Sequence, residues 1–190
     1  YTTVAFSDVT DKENQKRVEE VVTRYLKAML DYLHISPDAS CLVVGLGNRE
    51  STPDSLGPRV IEKILVTKYL FDTPGIQVSS DYRNVSVFSP GVLATTGIES
   101  SEMILGIVER TKPDFLIVID ALASTSLDRI NKTIQMTDSG IHPGSGIGNN
   151  RKEINQESLG IPVISIGVPT VIEAITVVSD TIQYLYKHFA

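Results

Sequence analysis

Three short, almost wholly apolar runs constrain this chain more than any other feature: Cys41 to Leu46, Phe115 to Ile119 and Val163 to Ile166. A strand with one face in water alternates polar and apolar residues, whereas a strand covered on both faces does not. Each run is too short for a helix. Each is followed, after a turn or a longer excursion, by residues at helical spacing, the pattern of repeated β-α units. The expected fold class is therefore α/β: a three-layer sandwich with a central, mainly parallel sheet, mixed at its edges, and helices on both faces.

The stripe Val18, Val21, Tyr25, Met29 and Leu33 recurs every three or four residues. It predicts an amphipathic helix over Thr10 to His34, opened by the capping-box spacing of Thr10 and Glu13 and ended by Ser36 and Pro37. Further helices are expected over Ser55 to Phe71, Gly97 to Thr111 and Thr170 to Phe189, the second with Thr96 and Glu99 as its capping box. Tyr1 to Phe6 alternates like a strand end, and Val78 to Val87 and Thr133 to Thr137 read as extra strands at sheet edges. Gly140 to Lys152, reading GIHPGSGIGNNRK, has no period and is a loop long enough to carry function. No repeat or linker divides the chain. Residues 1–190 are expected to form one domain, with 1–38 as a strand end and long helix and 39–190 as the core.

A net charge of −6 argues against a direct nucleic-acid partner, because binding to a phosphate backbone depends on Lys and Arg displacing counterions. No apolar run approaches the roughly 20 residues that span a bilayer. Tyr1 to Phe6 also lacks the charged head and long apolar core of a signal peptide. A cytoplasmic protein with no membrane partner is expected. Cys41 stands alone, so no internal disulfide forms, and its place in an apolar run makes it a buried, inert thiol.

In open parallel sheets, chemistry gathers beyond the carboxyl ends of the strands. The first such segment, GLGNRESTPDSLGP, starts like a dinucleotide fingerprint at Gly45 and Gly47. It then carries Glu50 where the third glycine is needed, and a carboxylate there repels a pyrophosphate. Asp54, close to the expected helix start, reads either as a cap or as a carboxylate kept ionised by the helix amino terminus, as a general base requires. Asp120 ends the run FLIVID and reads either as a loop cap or as a cleft carboxylate. Two carboxylates on neighbouring strand ends separate each other's pKa values, as acid and base partners need. Asp138, Ser139 and Gly140 spell the triplet of pepsin-like enzymes, but those are all-β and carry it twice, leaving Asp138 as a supporting carboxylate at most. His142 is the one histidine placed for chemistry, as a substrate-binding or loop-closing residue or a metal ligand. Gly47, Asn48, Gly144 and Gly146 offer backbone N–H groups to an anion or an extended peptide. No HExxH, paired Cys or His, or GxSxG motif is present.

Together, CLVVGLGN, TPDSLGP, SPGVLATTGIES, KPDFLIVIDALAS, TDSGIHPGSGIGN, RKE and LGIPVISIGVPTVIEA resemble, in order, the germination protease family of spore-forming bacteria. The resemblance implies an atypical aspartic endopeptidase that degrades the small acid-soluble proteins coating spore DNA during germination. It implies no cofactor, location in the developing spore and spore core, a tetramer, and synthesis as an inactive zymogen. It also implies that Asp54 and Asp120 are the catalytic pair, assisting water attack. The family is further similar to the hydrogenase maturation proteases, α/β enzymes that bind nickel. That similarity implies a shared fold and leaves a nickel- or zinc-dependent peptidase as one alternative, with a non-catalytic peptide-binding module as another. Family members carry a propeptide and further strands before the matched region and an extension after it, which this chain is expected to lack.

Overall fold

The computed structural model describes residues 1–8, 10–144 and 152–189. Its strands are β1 (Thr2–Ala5), β2 (Cys41–Gly45), β3 (Val85–Phe88), β4 (Phe115–Ser124), β5 (Thr133–Thr137) and β6 (Val163–Ile172). They form one sheet in the order β1-β5-β6-β4-β2-β3. The neighbours from β6 to β3 run parallel, while β5 is antiparallel to β6 and β1 to β5. The helices are α1 (Lys12–Tyr32), α2 (Leu56–Ile61), α3 (Lys68–Asp72), α4 (Leu93–Thr96), α5 (Ser100–Thr111), α6 (Gln156–Leu159) and α7 (Ala174–Phe189).

Alternation along the central strands divides the core between the two faces of the sheet. Leu42, Val44, Leu116 and Val118 pack with Ile104 and Val108 of α5 and Leu159 of α6. Cys41, Val43, Phe115 and Ile119 pack instead with Ile61 of α2. Further along that second face, α1 lays Val22, Leu26 and Met29 against Met136 and Ile164. The three apolar runs are thus the strands β2, β4 and β6, covered on both sides as their composition requires.

Several element boundaries differ from the sequence expectation, each for a local reason. Helix α1 is capped by Asp11, not Thr10: the Asp11 carboxylate accepts the Asn14 N–H at 3.0 Å, while Thr10 donates to Asp8. The helix expected over Ser55 to Phe71 is split into α2 and α3 because Thr67 is tied to β3. Its N–H donates to the Val85 carbonyl at 3.0 Å, and the Val85 N–H donates to its hydroxyl at 2.9 Å. The expected Thr96/Glu99 box does not form. Gly97 ends α4 in the left-handed region, and Glu99 at the start of α5 makes no side-chain cap. The strand expected over Val78 to Val87 is confined to β3, and β5 lies one place in from the edge that β1 occupies.

Two corrections bear on the site. Helix α7 starts at Ala174 rather than Thr170, because β6 keeps its ladder with β4 as far as Ile172. Strand β4 likewise continues to Ser124, so Asp120 lies within the ladder opposite Gly167 rather than beyond the strand's end. What ends beside Asp120 is β2, whose last pairing is Gly45 with Ile119. The chain leaves β2 toward α2 on one face, whereas α5, which leads into β4, and α6, which leads into β6, lie on the other. Such a divergence opens a crevice at the carboxyl ends of the two strands. Among the described residues no helix is long and apolar enough to cross a membrane.

Candidate active site

That crevice is a cavity of about 430 Å³, and both Asp54 and Asp120 line it. Its walls come from the segment after β2, the connection from β3 into the start of α5, the outer half of β4, the His142–Gly144 stretch and the end of β6. A larger hollow of about 760 Å³ runs along the charged outer side of α1, past Lys16, Glu20, Arg24 and Lys27, and shares no residue with it. Of these two, the crevice is the one that joins several elements around carboxylates.

Asp54 ends a single 3-10 turn, Thr52–Asp54, while Ser55 takes the cap position of α2. Its carboxylate is therefore not the cap of that helix. Oδ2 instead accepts the Asn48 N–H at 2.8 Å. This arrangement depends on Gly47. Its φ of +113° lies where side chains are disfavoured, and a Cβ there would stand 2.0 Å from the Asp54 carbonyl oxygen and 3.0 Å from Oδ1. The glycine lets the chain after β2 fold directly under the aspartate.

Asp120 is buried, at 8% exposure. By strand alternation it falls on the face of Leu116 and Val118, and its Oδ1 accepts the Ala121 N–H at 2.8 Å. The end of β2 is fixed beside it, since the Leu46 N–H donates to the Ile119 carbonyl at 2.8 Å. A buried carboxylate at the wall of a cavity is costly unless it is hydrogen-bonded, and such groups concentrate where proton chemistry occurs.

His142 also lines the cavity, its Nε2 lying 3.1 Å from Glu153 Oε1. The two are brought together by the antiparallel bridge of Ile141 with Ile154. Gly47 and Gly144 line the cavity as well. Asn48 does not: it supplies its backbone N–H to Asp54, and its side-chain Oδ1 accepts the Glu50 N–H at 3.0 Å. Asp138 does not line it either. Gly146 lies outside the described residues. Among the described residues, no three His, Cys, Asp or Glu side chains form a group able to hold a metal ion.

Ser100 and Thr170 lie within the quoted motifs but are not singled out there as site residues. Ser100, buried at the start of α5, lines the cavity and donates to the Gly91 carbonyl at 3.2 Å. Thr170 lines it from β6 and donates to the Pro53 carbonyl at 2.6 Å. Neither belongs to a spacing motif. Pro169 was the available signal for the second, because proline inside a covered strand marks an irregularity.

The germination protease family profile, Peptidase_A25, matches residues 1–190. The germination protease of Bacillus licheniformis is 57% identical over 179 residues, covering 94% of this chain and 49% of that protein. That of Bacillus subtilis is 54% identical over 179 residues with the same coverage. The chain thus spans about half the length of the curated relatives it matches. Among solved structures, the [NiFe] hydrogenase maturation protease HycI of Thermococcus kodakarensis aligns with a TM-score of 0.47 at 17% identity, covering 84% of this chain and 99% of that one. The hydrogenase 3 maturation protease aligns with a TM-score of 0.41 at 15% identity, covering 80% of this chain and 90% of that one.

Proposed function

Because this chain belongs to the germination protease family, we propose that it carries the catalytic centre of a germination endopeptidase in which Asp54 and Asp120 act jointly on a peptide bond. The observation that supports the pairing is that both carboxylates line one cavity beside the end of β2. In this reading Asp54 takes a proton from a water molecule whose oxygen attacks the scissile carbonyl carbon. Asp120 hydrogen-bonds the developing oxyanion and donates a proton to the nitrogen as the C–N bond breaks, leaving a carboxylic acid and an amine, with the proton from water on Asp54 and Asp120 ionised until protons exchange with solvent. The substrates are the small acid-soluble proteins of the spore and the place of action is the spore interior, as the family resemblance implies. A tetramer is the expected assembly of the whole protein.

The test uses the full-length protease that contains this chain. Asp54→Asn and Asp120→Asn are each expected to lower cleavage of an acid-soluble spore protein by about 10²- to 10⁴-fold, the usual loss of a general acid or base, with circular dichroism unchanged. Undiminished cleavage by either variant refutes the pair. Activity that vanishes with a chelator and returns with one divalent metal replaces the aspartic mechanism with a metal-assisted one.

A further inference from the structure

We propose that Thr170 is a positioning residue: a bulge in β6 swings its hydroxyl out of the ladder to hold the turn that aims Asp54. The inference rests on the reading of Asp54 as the group that handles the proton of water. Between β4 and β6, Leu122 pairs with Pro169 and Ala123 pairs with Val171. Thr170 is therefore the extra residue, with no counterpart across the ladder. A bulge of this kind interrupts the pleat and re-aims a side chain, and bulges recur beside active sites for that reason. Pro169, which has no N–H to give to a ladder, suits the position before it.

The re-aimed hydroxyl reaches a specific target. Thr170 Oγ1 donates to the carbonyl of Pro53, the residue before Asp54, at 2.6 Å and across 117 positions of sequence. The turn it grips is short, and the Ser55 hydroxyl also donates to its Thr52 carbonyl at 3.0 Å. Thr52–Asp54 is a single 3-10 turn closed by Asp54 N–H to the Ser51 carbonyl at 2.9 Å and by a long contact of 3.5 Å from Ser55 N–H to the Thr52 carbonyl. On the β2 side, the Gly47–Asn48 backbone packs under Asp54 and holds its Oδ2. On the β6 side, Thr170 fastens the residue before it. The two contacts grip the turn between strands that are not neighbours in the sheet, since β4 separates β2 from β6. Asp54 is thereby referred to the same framework that carries Asp120, and displacing a reacting group by about 1 Å costs on the order of 10²-fold in rate.

The experiment compares Thr170→Val, which keeps the shape and loses the donor, with Thr170→Ser, which keeps the donor, in the full-length protease. Thr170→Val is expected to lower kcat by about 10- to 100-fold with KM little changed, and Thr170→Ser to restore it. A second readout is independent of turnover. In nuclear magnetic resonance spectra, the Asn48 amide proton and the Asp54 carboxyl carbon should move in Thr170→Val and return in Thr170→Ser. Unmoved Asn48 and Asp54 signals overturn the proposal, whatever happens to kcat. Signals that move while kcat stays at the wild-type value leave Thr170 as the residue that positions Asp54 and sink the catalytic reading of Asp54 itself.

Discussion

Cys41 opens β2 at 3% exposure, and burial pushes its thiol up from 9.0 to about 12. The protonated thiol is the form favoured by folding, so its contribution is complete below the ordinary value and is lost as pH rises from 9.0 toward about 12. Because the thiolate is the reactive form, alkylation by iodoacetamide at pH 8 should be negligible in the folded protein and rapid in denaturant. Labelling of the folded protein at the rate of a free thiol would contradict this burial. The inert thiol was legible in the sequence, since a cysteine at the head of a run covered on both faces has nowhere polar to go. That Asp54 and Asp120 would share one crevice was legible through the motifs around them, and both line its cavity. The task of Gly47 was not, because it depends on how closely the Asp54 carbonyl approaches, a distance that no spacing rule contains. Thr170 and Ser100 were missed for the same reason: a hydroxyl gains its meaning from the carbonyl it reaches.

At the scale of elements, Asp114 joins β2 to β4 at the end of the sheet away from the cavity. Its carboxylate accepts the Ser40 N–H at 2.6 Å and the Ser40 hydroxyl at 2.7 Å, while its own N–H donates to the Ser40 carbonyl at 3.0 Å. These bonds, the Ser40 hydroxyl first and then its N–H, hold the Asp114 carboxyl below its ordinary value of 3.8. A depressed carboxyl stabilises the fold fully above its ordinary value and loses that contribution as pH falls through its lower folded value. Asp114→Asn should therefore cost about 0.5–1 kcal/mol at pH 6, small because the site is exposed, and the gap from wild type should close as pH is taken below 3.8. Urea midpoints measured at both pH values check it, and a gap that widens toward acid would contradict the assignment. Element boundaries were less legible than the elements. Periodicity located α1, β2 and β5, but it could not foresee that Thr67 would bond to β3 and split a helix. Nor could it foresee that β6 would continue through residues with helical spacing, where pairing with β4 outweighs local preference.

For the whole molecule, the sheet divides the apolar interior in two, and the question is whether both halves unfold together. Leu116 faces α5 and α6, Ile164 faces α1, and both are completely buried, at 0% exposure. They sit on adjoining strands, Leu116 opposite Val163 and Ile117 opposite Ile164. Removing either side chain opens a cavity on one face only, yet the hydrogen-bonded ladder it loosens is common to both. Leu116→Ala and Ile164→Ala should each cost about 2–5 kcal/mol, a large part of the roughly 5–15 kcal/mol that holds a domain together. If residues 1–190 act as one unit, each substitution lowers a single urea transition, and far-ultraviolet circular dichroism and tyrosine fluorescence give the same midpoint. Separate midpoints, with Leu116→Ala moving one and Ile164→Ala the other, would mean that the two faces are independent units. The site then provides a third probe. Asp120 belongs to β4 and Asp54 is tied to β6 through Thr170, so a peptide-binding signal from the cavity should disappear at that same midpoint rather than before it.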